Sequence, residues 1–238
     1  MSRIVRFATR PLVAAGFTVA IVVGLSTPAS AAPGHYSISA TGGATFSLLT
    51  SHNLVNGTVD DQLFYLSTTK TGLHHLPFPI KAWGGSFKRI AISSNGNVQL
   101  GVASGGGTAA FNNDCLPSTT FTKPMIAPFW DDLFFDSNDT SHGFTEGVFL
   151  KTKGSAPHRK FTISWQGHQF NDSGALVQAQ VIFKQRSQTI TMIYGLNGGA
   201  QATIGTQSAQ GNNSAQWSCN SGGNAVTSGQ KLTFLHSS

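Results

Sequence analysis

The chain has 238 residues, 10% of them charged and 39% hydrophobic, with a formal net charge of +6. Three of its 15 basic residues, Arg3, Arg6 and Arg10, come before residue 32, where there is no acidic residue, so the rest of the chain sets twelve basic residues against nine acidic ones, a balance of +3. That thin charge excludes a nucleic-acid-binding surface, which needs clustered Lys and Arg; the isolated pairs Lys88-Arg89 and Arg159-Lys160 suit solvated strand edges.

Arg3, Arg6 and Arg10 precede an uncharged run from Leu12 to Leu25, and the small residues Ala29-Ser30-Ala31 follow. That order predicts a secretory signal peptide over residues 1–31, cleaved after Ala31. The run is about 14 residues long, short of the roughly 20 that a spanning helix needs. The cleaved chain is expected to be secreted and extracellular, with no membrane span after cleavage.

Residues 32–58 are weakly patterned and predict an N-terminal strand or a loose segment. From residue 59 to 238 short β-rich runs recur between Gly, Asn and Ser clusters, and good helix formers are scarce. The pattern is all-β and predicts a single antiparallel β-sandwich domain. Between Ile90-Ala91-Ile92 and Val98-Gln99-Leu100 the Asn95-Gly96 pair signals a hairpin turn. A two-residue loop would set Ala91 opposite Leu100 and Ile92 opposite Gln99, with apolar residues on both faces. Either both faces are covered or a bulge shifts the register. Ser104 to Thr108 reads as a Gly-rich flexible loop.

Strands are expected at Gly147–Thr152, Ala202–Gln207 and Lys231–Leu235. The clearest alternation is Lys160 to Trp165, where Phe161, Ile163 and Trp165 share one face. Ala175–Lys184 and Thr189–Tyr194 follow across short polar turns, which predicts an antiparallel meander. Asn212–Asn224 reads as a polar loop around Trp217 and Cys219. Cys115 and Cys219 are the only cysteines. Export puts them where disulfides persist, so they are expected to pair.

Leu76-Pro77-Phe78-Pro79-Ile80, Ile92-Ser93-Ser94-Asn95-Gly96-Asn97 and Ile126-Ala127-Pro128-Phe129-Trp130-Asp131-Asp132-Leu133 occur in that order. Gly147 to Thr152, Arg159 to Trp165 and Gly229 to Phe234 continue it. Together they resemble an extracellular β-sandwich module of bacterial secreted and surface proteins. That module is similar to the nidogen-type and plexin-associated extracellular domains of animals. The resemblance runs from Val59 to Phe234. It implies a non-enzymatic extracellular interaction or adhesion module, with an extracellular or cell-envelope protein or glycan as partner. It implies no ligand residues.

Asp131, Asp132, Asp136 and Asp139 are the candidate metal ligands, and clustered carboxylates suit calcium. Their spacing is not that of an EF-hand. Asp172-Ser173-Gly174 matches half of an aspartic-protease signature, but no second copy exists and a hairpin turn accounts for it. Glu146 is the only glutamate, and nothing in the spacing pairs it with an aspartate as a glycosidase would require. The eight histidines form no recognised metal spacing. Trp83, before Gly84-Gly85, is the candidate sugar contact, which makes a carbohydrate-binding domain the alternative function. A secreted hydrolase is the second alternative, since a Ser/His/Asp triad needs only to meet in space.

Overall fold

A computed structural model describes residues 35–198, 201–220 and 222–237. The signal peptide expected over residues 1–31 lies outside the described residues. In chain order the strands are β1 (Tyr36–Thr41), β2 (Thr58–Val59), β3 (Leu63–Ser67), β4 (Ile80–Ala82), β5 (Gly85–Phe87) and β6 (Arg89–Ser93). Then come β7 (Asn97–Leu100), β8 (Met125–Trp130), β9 (Leu133–Asp136), β10 (Gly147–Lys153), β11 (Lys160–Gln169) and β12 (Asp172–Lys184). The last are β13 (Ile190–Asn197), β14 (Thr203–Gln207), β15 (Ser214–Cys219), β16 (Gly222–Gly223) and β17 (Lys231–His236). The chain is all-β, with 48% strand and 3% helix.

An eight-stranded sheet has the order β1-β17-β13-β12-β11-β9-β2, and β10 shares the outer edge of β11 with β9. A seven-stranded sheet has the order β16-β15-β14-β8-β7-β6-β3, and β4 and β5 form a small ribbon. The strand ladders are antiparallel throughout. The meander β11-β12-β13 forms as its alternation predicts: Ile163 sits opposite Val181, and Val181 opposite Met192. Their inward side chains, with Trp165, Phe183, Leu232 and Phe234, pack against Ile90, Ile92, Val98, Ile126 and Phe129 of the second sheet. Burying these faces from water is the main driving force for the fold.

The hairpin β6-β7 settles the register question left open by the sequence. Its loop has three residues, Ser94-Asn95-Gly96, so Ile92 pairs with Val98 and Ile90 with Leu100. The extra residue moves all four apolar side chains to one face. Gly96 takes a φ of +69°, as expected of the residue that closes such a loop.

Both sheets are also covered on their outer faces, which is why so many polar strand residues are buried. On the eight-stranded sheet, Ser164, Gln166, Gln178 and Gln180 are buried. The segment 44–54 lies over them as a strap. Gln166 exchanges hydrogen bonds with the backbone of Leu49 at 2.7 and 3.0 Å, and the Gln180 amide donates to the Ser47 carbonyl at 2.6 Å. A buried amide is tolerated when its hydrogen bonds are made.

The second sheet is covered by the long β7–β8 connection. Its Leu116 and Phe121 form a separate small core with Met125, Ala127 and Trp130 of β8. The Cys115–Cys219 disulfide ties this cover to β15, with the Cα atoms 5.3 Å apart. Gln207 holds the Ser118 backbone at both ends, at 2.7 and 2.8 Å. The Gly-rich stretch is anchored by Gln99, whose amide donates to the Thr108 carbonyl at 2.6 Å. One reading changes. Ser214–Cys219 is strand β15 rather than loop, paired with β14, and its polar residues are accommodated there: Ser218 is buried and Gln216 accepts from the Leu116 N–H at 2.6 Å. Of the two alternatives for the N-terminal segment, Tyr36–Thr41 takes the strand, at the edge of the sheet on β17.

Candidate functional site

The connection from β9 to β10, residues 137–146, is built from side-chain-closed turns. The Asp136 carboxylate accepts from the Asn138 backbone N–H at 2.9 Å, and that of Asp139 from Ser141 N–H at 2.7 Å. Such Asx turns fix short polar loops. At the loop's end, Glu146 is fully buried. Its Oε2 accepts from the Asp136 N–H at 2.9 Å, and its carbonyl accepts from the Asn53 amide at 3.0 Å. Asn53 comes this close because Gly147 has no side chain to collide with it.

Glu146 Oε1 faces two imidazoles. His168 on β11 brings Nδ1 to 2.8 Å, and His142 from the loop brings Nδ1 to 3.2 Å. The first contact is a hydrogen bond. The second is out of line for one, so the buried His142 Nδ1 has no hydrogen-bond partner. Asp139 Oδ2 stands 3.7 Å from the same nitrogen. Hydrogen bonds from Ser141 hold the Asp139 carboxyl below its ordinary range, and the two imidazoles act in the same direction.

Aromatic side chains flank this cluster. Phe134 lies 5.4 Å from the His168 ring and 6.0 Å from Phe170, which is 39% exposed. Phe144 lies 6.2 Å from the His142 ring. The same loop forms one wall of a 400 Å³ groove lined by Leu48, Leu49, Thr140, Phe144 and Gln166.

The four aspartates expected to share a metal are divided between two places. Asp136 ends β9 and Asp139 lies in the loop just described. Asp132 joins Asp60 and Asp61, their carboxylate oxygens all within 4.8 Å. Asp131 accepts from the Gln169 amide at 2.8 Å. Burial raises the Asp131 carboxyl, while the Asp132 N–H and Gln169 oppose the rise. Asp132 is pushed up to about 6, first by burial and then by repulsion from Asp60, Asp61 and Asp131. Among the described residues, the two clusters with metal-ligand types are His142–Glu146–His168 and Asp60–Asp61–Asp132. The sequence reading passed over the first because its members come from a loop and a distant strand. The usable signal was the only glutamate, four residues after a histidine.

Trp83, the candidate sugar contact, is half-buried against the main core. Its indole N–H donates to Thr206 Oγ1 at 3.0 Å, and its ring meets Tyr36 edge-on at 4.8 Å.

Two antiparallel sheets around one core, tied by one disulfide and carrying a polar cluster at a loop, define a β-sandwich module. A family model described as NIDO related matches residues 35–235. The chain belongs to this NIDO-related family. No curated protein and no solved structure matches it. The family and the disulfide are consistent with an extracellular location, and among the described residues no helix is long and apolar enough to cross a membrane.

Proposed function

We propose that the chain is a secreted, bacterial, non-enzymatic interaction module that binds an extracellular or cell-envelope protein. The observation that carries this reading is the aromatic edge beside His168. Phe170 exposes 39% of its surface and meets the ring of Phe134 at a tilt, where the start of β9 lies beside the end of β11. Exposed aromatic anchors framed by polar groups suit protein recognition. The edge can accept a partner without disturbing the core, because neither ring belongs to either core cluster.

Trp83 favours the protein reading over the sugar reading. Its N–H is already committed to Thr206, which takes away the polar handle that an aromatic binding residue offers.

A photo-crosslinking residue placed at position 170 tests this. With the envelope fraction of the producing cells, it is expected to give a protease-sensitive adduct. The same probe at Leu235, somewhat more exposed but on the far strand β17, is expected to give none. Equal labelling at both positions, or a protease-resistant glycan adduct alone, would overturn the reading. Secretion is tested by N-terminal sequencing of the protein from the medium, with Ala32 expected first.

A further inference from the structure

We propose that His142, Glu146 and His168 form a binding site for a divalent transition-metal ion of the zinc class. The ion would join the β9–β10 loop to strand β11, and this does not depend on what the module binds.

The donor set is the first argument. Two imidazole nitrogens and one carboxylate oxygen converge, and their ligand atoms all lie within 4.8 Å of one another. Imidazole with carboxylate suits zinc and its neighbours; calcium takes six to eight oxygens instead.

Geometry is the second. Glu146 Oε1 is 2.8 Å from one Nδ1 and 3.2 Å from the other. A tetrahedral ion with bonds of about 2.0–2.1 Å holds its donors roughly 3.3 Å apart. The two contacts of Glu146 therefore need to open only slightly to admit an ion. Asp139 Oδ2, 3.7 Å from His142 Nδ1, is the nearest further donor, and its other oxygen is already held by Ser141. This aspartate, or a water, completes four-coordination.

The third is what the protein leaves unsatisfied. His142 Nδ1 is buried and lacks a hydrogen-bond partner, although it is close to two carboxylates. An ion at the cluster gives that nitrogen a bond. It also neutralises a carboxylate that is wholly removed from solvent, a burial that costs much without a partner. The supporting contact is in place, since the Asp136 N–H fixes Glu146 Oε2. Contacts of this kind orient metal ligands.

The test uses the purified protein, stripped by chelator and dialysed. Zinc is added, and bound metal, melting temperature and the histidine ring nitrogens by NMR are followed. One zinc per chain is expected, with a raised melting temperature and with shifts at Nδ1 of His142 and His168. Cobalt should give the visible absorption of a four-coordinate site. His142→Ala, at a loop position, should keep the strand circular dichroism and lose both metal and spectrum. Three results would overturn the proposal: no bound zinc at equimolar concentration, ring shifts confined to the other six histidines, or unchanged binding by His142→Ala. Should that variant not fold, the ring shifts of the unaltered protein decide alone.

Discussion

The indole N–H of Trp165 donates to the carbonyl of Ser93 at 2.8 Å, across the core from β11 to β6. It is a polar bond between the two sheets, as is that of the buried Tyr194 hydroxyl to the Pro128 carbonyl at 2.9 Å, and both Trp165 and Ser93 are fully buried. Ser93 immediately precedes the three-residue loop of the β6–β7 hairpin. The indole therefore ties the meander of one sheet to the turn that sets the register of the other.

Trp165→Phe removes that donor and leaves a void beside it. The expected loss is about 2–4 kcal/mol, from an unpaired buried carbonyl and a small cavity. Urea unfolding measures it. A loss below about 0.5 kcal/mol, the range of ordinary surface changes, would mean that the bond does not hold the sheets together.

Two glycines with nearly the same backbone separate strain from crowding. Gly96 and Gly84 have φ of +69° and +71°. A side chain at Gly84 would meet open space, while one at Gly96 would run into the Phe129 carbonyl. Gly84→Ala is thus expected to lose only the left-handed penalty, about 1–2 kcal/mol. Gly96→Ala must also push β8 away from the turn, so its loss should exceed about 4 kcal/mol, the exceptional range for one substitution. Equal melting temperatures for the two variants would refute the crowding argument.

How much of this was legible in the sequence depends on what each residue faces. Phe161, Ile163 and Trp165 alternate cleanly because β11 presents its polar residues to the other side, and the meander could be read directly. The β6–β7 register could not, because both faces of β7 are buried and periodicity no longer distinguishes inside from outside. The small core of Leu116 and Phe121 was hidden for a similar reason: it is built by an irregular loop, which has no period. The pairing of Cys115 with Cys219 followed from compartment chemistry alone. Of the His142–Glu146–His168 cluster only the His142–Glu146 spacing was on view, because His168 is brought to the loop by the β9–β11 pairing, where it sits opposite Phe134. Asp132 was expected to partner the aspartates after it; folding places it beside Asp60 and Asp61, some seventy positions earlier.

The disulfide closes a loop of 104 residues. Restricting an unfolded loop near that length stabilises the fold by about 4.7 kcal/mol in the chain-entropy model, and removing a native bridge commonly costs about 2–5 kcal/mol. Replacing both cysteines by serine should lower stability within that range. The cover bearing Leu116 and Phe121 should loosen first, since the bridge anchors it to β15. Hydrogen exchange checks this order: protection at residues 110–122 should fall before protection in the meander. Uniform loss across both would show that the bridge acts only on the unfolded chain.

Asp132 makes stability depend on pH in a direction opposite to that of a salt-bridged carboxylate. Its folded value of about 6 lies above the ordinary 3.8. Between these values the folded chain holds a proton that the unfolded chain has released. Stability therefore falls as pH rises from about 4 to about 6, and the penalty stays in force at neutral pH. Unscreened, a shift of this size corresponds to about 3 kcal/mol. Asp132 is partly exposed, and solvent screening brings the expected effect to about 1 kcal/mol. Asp132→Asn keeps the shape and removes the charge. It should melt like the native chain at pH 3.5 and several degrees higher at pH 7, and a variant less stable than the native chain at pH 7 would mean that this carboxylate supports the fold rather than straining it.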